Sequence, residues 1–418
     1  MSIICGTDLS DASADALAVA CALAERRGDD KVVLLHVVDS DRPDAVREKA
    51  LEEARRLLDA QAARAGSAKV SADLVIGPPD QTLISYAETE GADLIVIAAR
   101  STHGSLIRLG STATKVISRT SVPVIVVRDP APFLAFARGE KPFRVLVGVD
   151  DSATCDLSLQ FLQALRTHGP TEIVLGAIYY PDDAAAHYGL EPGAIVDRDP
   201  EIERLLARDL LRRFGGDPTG VTAVARRGLG RIGDHVIELA NEQKVDAIVV
   251  GTGQKTGLDR LGSVSSVIVN DAPQNVICVP PQAAIATTTI PALRSALVAT
   301  DLSPFANRAV AYAFSLTPPD GNIHIVHVVK DDAEIDEAEL TAELTELAPI
   351  GAKQTVTAHI MRGDDAATAL AQCAARLGID VICISSHGRS GIARALVGSV
   401  ADRLLRATRL PVLVLRPA

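Results

Sequence analysis

The chain has 418 residues, 47% of them apolar and 23% charged, and carries a net charge of −11, which excludes global disorder and describes an ordinary globular composition. An acidic chain with 7 Phe, 5 Tyr and no Trp offers neither the basic footprint nor the stacking platforms of a nucleic-acid binder. Its apolar runs are short, 32–38 being interrupted by His36 and 94–99 ending at Arg100, so nothing approaches the roughly 18–20 residues of a membrane span and no membrane partner is expected.

Residues 1–8 lack the basic stretch that opens a signal peptide, and a cytoplasmic location is the expectation. The six cysteines, at 5, 21, 155, 278, 373 and 383, form no CxxC pair. They read as reduced, buried thiols.

One phrase recurs three times along the chain: a short apolar strand ending in Asp, a polar turn, then an Ala-rich helix. It appears at Ile3 to Asp8 with Ser10, at Val145 to Asp150 with Ser152, and at Ala296 to Asp301 with Ser303. In each copy the Ser stands two residues after the Asp and is placed to cap the next helix. A second strand follows, at 31–38, 172–179 and 322–329. A helical stretch then leads to a third strand ending near Gly77, Gly228 or Gly363. Another helix precedes a fourth strand opened by Asp93, Asp246 or Asp380. A glycine-bearing loop, a helix and a last strand close each copy, at 122–127, 275–279 and 410–415.

Continuous β-branched runs alternating with helices predict parallel strands covered on both faces. The expected fold class is therefore α/β, with three tandem doubly wound, five-stranded parallel-sheet (Rossmann-like) domains over 1–128, 143–281 and 293–418. Asp8 and Asp150 are 142 residues apart and Asp150 and Asp301 are 151 apart, a period that suits a domain rather than a solenoid repeat. The Pro-rich stretches at about 128–143 and 280–293 read as linkers.

Ligands of open parallel sheets bind at the carboxyl ends of the strands where the strand order reverses. In copy three the loop after strand four runs Ser385-Ser386-His387-Gly388-Arg389 and onward to Gly398-Ser399-Val400. Two glycines bracketing nine residues, with Ser399 opening a helix, form an anion cradle of backbone N–H groups and helix dipole, and Arg389 offsets phosphate charge. No Walker lysine motif occurs in the chain.

On these residues the chain resembles three tandem universal stress protein domains, covering nearly all of it apart from the linkers. The family's nucleotide-binding members carry G-x2-G-x9-G-[ST] after strand four. Copy three has Ser385-x2-Gly388-x9-Gly398-Ser399, with Ser in place of the first Gly. The resemblance implies that ATP, with Mg2+ as its companion ion, lies on Gly388, Gly398, Ser399 and Val400. It further implies that Asp301, after Ala299 and Thr300, faces adenine and ribose and that Val328 meets adenine through its backbone. Gly363, Ser385, His387 and Arg389 complete the expected site. Family members dimerise through the last strand, so a homodimer through a terminal edge strand is also implied.

Copies one and two depart from the pattern. Ala98 and Ser101 replace the leading glycines of copy one, Gln254 replaces the second glycine of copy two, and both loops are shorter. ATP is therefore expected chiefly in domain three, in a stress-response protein that binds nucleotide and is not an enzyme. A slow ATP hydrolase with Asp301 holding Mg2+ through water, and a ligand-free dimerisation scaffold, stay open. Asp8, Asp150 and Asp301 read equally well as helix caps, and His36 and His327 as satisfied strand histidines. The run Gly228-Leu229-Gly230-Arg231-Ile232-Gly233 spells a dinucleotide fingerprint, but Asp246 opens the next strand instead of ending it.

Overall fold

The computed structural model describes residues 2–40, 44–67, 69–101, 107–150, 152–191, 198–253, 262–285, 293–386 and 398–416. They form two compact units, 1–179 with 210–288, and 180–209 with 289–418.

In the first unit, copy one gives β1 (Ser2–Thr7), α1 (Asp11–Arg27), β2 (Lys31–Val38), α2 (Asp44–Arg64), β3 (Val70–Ile76), α3 (Pro79–Thr89) and β4 (Leu94–Ala98). A two-residue ladder, β5 (Arg100–Ser101) with β6 (Ile107–Arg108), precedes α4 (Ser111–Arg119) and β7 (Val124–Val127). After α5 (Ala131–Ala137), copy two gives β8 (Phe143–Gly148), α6 (Ala153–Arg166), β9 (Thr171–Tyr179), α7 (Pro181–Tyr188), α8 (Pro200–Phe214) and β10 (Val221–Arg227). It closes with α9 (Ile232–Glu242), β11 (Ala247–Gly251), α10 (Ser263–Asp271) and β12 (Asn275–Val279). Helix α7 and the start of α8 belong to the second unit.

Copy three lies in the second unit: β13 (Ser295–Ala299), α11 (Arg308–Leu316), β14 (Asn322–Val329), α12 (Glu337–Glu346), β15 (Thr355–Arg362), α13 (Ala366–Leu377), β16 (Val381–Ser385), α14 (Ser399–Ala407) and β17 (Val412–Leu415).

The three copies share one strand order. The runs β3-β2-β1-β4-β7, β10-β9-β8-β11-β12 and β15-β14-β13-β16-β17 are each parallel throughout. Right-handed crossovers from strand one to two to three put two helices on one face, and the return to strands four and five puts two on the other. The apolar strands therefore bury both faces. Val32 and Leu34 pack into one cluster and Val33 and Leu35 into a second, and Ile323 and Val326 divide between faces in the same way.

Copies one and two do not form separate sheets. Strand β12 pairs antiparallel with β7, Ile277 lying opposite Ile125, and this joins five strands to five in one sheet of ten. The 128–143 stretch is not a plain linker: it folds as α5, and Phe133 and Phe136 are buried against Phe143, at ring separations of 4.6 and 5.7 Å. All six cysteines are buried, in line with the apolar runs that hold them. Among the described residues no helix is long and apolar enough to cross a membrane.

Candidate functional site

In copy three the strand order reverses between β13 and β16, and the sequence-derived residues gather at the carboxyl ends of these strands. Ala299 ends β13, between Val326 of β14 and Ile384 of β16. Thr300 then donates its N–H to the Val326 carbonyl at 3.0 Å. The Thr300 hydroxyl donates to Asn307 Oδ1 at 2.6 Å and accepts the Leu302 N–H at 3.0 Å. This turn places Leu302 at φ 64°, and Leu9 takes φ 66° at the same step of copy one. A branched side chain in the left-handed region costs free energy, and the local hydrogen bonds hold both turns there.

Asp301 Oδ1 accepts the Ser303 N–H at 3.0 Å, as Asp8 accepts that of Ser10 at 3.1 Å and Asp150 that of Ser152 at 2.9 Å. The recurring Asp thus closes a turn onto its own backbone in every copy. Ser10 and Ser152 cap α1 and α6 as the sequence suggests. Ser303 instead accepts the Ala306 N–H at 3.2 Å within a turn, because α11 starts only at Arg308.

His327 Nδ1 donates to the Thr300 carbonyl at 2.8 Å, and His36 Nδ1 to that of Thr7 at 2.8 Å. A carbonyl only accepts, so both rings carry their proton on Nδ1. These histidines tie strand two to the end of strand one. Copy two has Ala177 at the matching step of β9.

Val328 lies opposite Met361, and Gly363 donates its N–H to Val329 at 3.0 Å just beyond. On the other side of β13, the Ser385 hydroxyl donates to the Phe305 carbonyl at 3.0 Å, fastening β16 to the Asp301 turn. Gly398 caps α14 at φ −64° and ψ 155°, and no side chain caps it. Ser399 and Val400 form the first turn, whose N–H groups and dipole favour an anion. His387, Gly388 and Arg389 lie outside the described residues.

Sequence reasoning missed Asn307, whose amide completes the Thr300 turn, and Arg403. Arg403 Nε donates to the Ser399 carbonyl at 3.4 Å, and Nη1 lies 3.2 Å from Asp365 Oδ1 after Gly363. Copy one carries the same link between Asp80 and Lys115 and Arg119, at 3.6 and 3.1 Å. Comparing the copies would have revealed it, since Lys115 and Arg403 both stand fifth in their helices.

Copy two replaces that ion pair by close packing. Gly233, the last glycine of the dinucleotide-like run, faces Val267 so closely that a Cβ would meet it at 2.7 Å. The run is a helix-packing feature, and Leu229 within it is 72% exposed.

The strand-one turns of copies one and two also carry side chains from helices that follow strand two. Gln61 of α2 accepts from the Thr7 hydroxyl at 2.7 Å. Arg213 of α8 donates to the Asp150 carbonyl, to the Ser152 carbonyl at 3.1 Å and to the Asp156 carboxylate at 2.8 Å.

Sheet order and glycine-capped helix together define a tandem Rossmann-like α/β protein whose candidate sites lie at the strand reversal. The model of the universal stress protein family matches residues 1–128, 143–280 and 293–416. The chain belongs to the universal stress protein family. Universal stress proteins of Mycobacterium bovis and Mycobacterium tuberculosis are each 29% identical to it over 200 residues, 43% of this chain and 64% of theirs. The chain thus spans 64% of the length of these curated relatives. A universal stress protein structure from Archaeoglobus fulgidus superposes with a TM-score of 0.51 at 18% identity, over 67% of this chain and 98% of its own. That likeness concerns the fold.

Proposed function

We propose that the protein is an adenine-nucleotide-binding module of the stress response that takes ATP, with Mg2+ as companion ion, chiefly in copy three, and acts by binding rather than by turnover. One observation carries this reading. Asp301, Val328, Gly363, Ser385 and the glycine-capped start of α14 share the carboxyl end of one sheet, on both sides of its strand reversal. The first-turn N–H groups of α14 suit phosphate oxygens, and the backbone of Val328 suits the edge of a base. The spacing Gly388-x9-Gly398-Ser399, which copies one and two shorten, favours copy three as the principal site. The paired strands β7 and β12 support self-association through the equivalent strand β17.

The test is to denature the gently purified full chain and identify the small molecules released, then titrate it with ATP. A single adenine nucleotide per chain is expected. No nucleotide released, and no heat of binding at millimolar ATP, overturns the proposal.

A further inference from the structure

On β14 and β15, His324 Nδ1 lies 3.0 Å from His359 Nε2, with ring centroids 5.2 Å apart. His324 shares its sheet face with Val326, and Val326 stands opposite His359, so the rings meet diagonally across adjacent strands. The corresponding positions are Val174 and Val224 in copy two and Val33 and Asp73 in copy one, by strand register. Only copy three has imidazoles at both.

We propose that His324 and His359 form a two-imidazole chelate for a borderline divalent transition-metal cation, Cu2+ or Zn2+, with water completing its coordination. Metal–imidazole bonds of about 2.0–2.1 Å set two nitrogens about 2.9 Å apart at the right angle of tetragonal Cu2+ and about 3.3 Å apart at the tetrahedral angle of Zn2+, so the present 3.0 Å separation lies nearer the Cu2+ value. Imidazole suits these ions, with Cu2+ the tighter of the two. The ring that now donates in the N–H···N bond moves its proton to its other nitrogen, so both facing nitrogens offer lone pairs and no net proton is released. Parallel strands supply a rigid scaffold.

Arg376, on α13, is exposed and donates to Met361 Sδ at 3.6 Å. Its charge opposes a cation. The other ionisable group of α13 on this face, Cys373, is a buried thiol whose pKa burial raises.

The test is calorimetric titration of the full chain with CuCl2 and with ZnCl2 at about pH 7, where an ordinary imidazole is mostly neutral. One equivalent of metal is expected to bind. His324→Val and His359→Val each weaken it about tenfold or more, since a chelate loses its advantage with either arm. The double variant goes no further, and Arg376→Gln tightens binding several-fold. Valine fills both positions in copy two, so these variants keep the fold, which circular dichroism checks. Equal metal affinity in the parent chain and the double variant overturns the assignment.

Discussion

Asn275 Oδ1 accepts the backbone N–H of Arg128 at 2.8 Å, joining the start of β12 to the end of β7. The same amide accepts the Asp129 N–H at 3.1 Å and donates to the Asp129 and Asp246 carbonyls at 3.0 and 3.1 Å. Asn275 is 1% exposed. Pro123 and Pro411 hold the matching positions of copies one and three, and proline offers neither amide donor nor amide acceptor at its side chain. The clamp is therefore one-sided: copy two brings it and copy one receives it.

Asn275→Ala is expected to destabilise the first unit by about 1–3 kcal/mol, the cost of leaving buried backbone groups unpaired. Urea denaturation of the full chain measures it. An unchanged midpoint would show that the amide adds nothing to the β7–β12 junction.

The chain is expected to dimerise through β17. The residues of β7 and β12 are at most 3% exposed, whereas β17 is the last strand of its sheet and each of its residues is partly exposed. Ile382 and Ser386 donate to the Pro411 and Leu415 carbonyls, which turns the backbone groups of Val412 and Val414 toward the open edge. An apolar open edge invites pairing, and two copies close it symmetrically. Light scattering at micromolar concentration should give twice the chain mass. Val414→Pro, which removes an edge donor while sparing the β16 side, should give monomer. A monomeric parent chain ends this expectation.

Gly398→Val is expected to abolish ATP binding while leaving the fold intact. At φ −64° and ψ 155° the backbone accepts any L-residue, so no strain follows, but a branched side chain stands where the phosphates would approach the α14 N–H groups. Calorimetry should show no saturable heat. Undiminished affinity in this variant would remove Gly398 from the site.

Stability is expected to fall with acidification below the ordinary histidine range. His324 titrates near 4 in the folded chain against 6.5 as an ordinary side chain. Between those values the unfolded chain takes up a proton that the folded chain does not, so lowering the pH favours unfolding, and the effect ends near pH 4. His359 acts in the same direction. The denaturant midpoint should drop across this window in the parent chain and less so in the His324→Val, His359→Val double variant. Parallel slopes would show that the pair does not contribute.

The residues by themselves determined what is local. Asp301 reaches Ser303 only two positions away, β-branched runs such as 322–329 form strands from their own pattern, and the threefold recurrence of the strand–Asp–Ser phrase makes the domains legible. Handedness of the crossovers then follows from chain chirality. Gly398 was legible as the start of α14 for the same reason: its place there lies in backbone conformation.

Tertiary structure alone decided which groups meet across long stretches of chain. The β7–β12 pairing, the hold of Gln61 and Arg213 on their strand-one turns, and the His324–His359 contact each bring together residues 35 to about 150 positions apart. Residues 180–209 lie within copy two in sequence but belong to the second unit, where Arg208 donates to the Arg376 carbonyl at 2.6 Å. Such contacts have no period and no local propensity. They arise only when packed helices and strands bring one side chain within hydrogen-bonding reach of another.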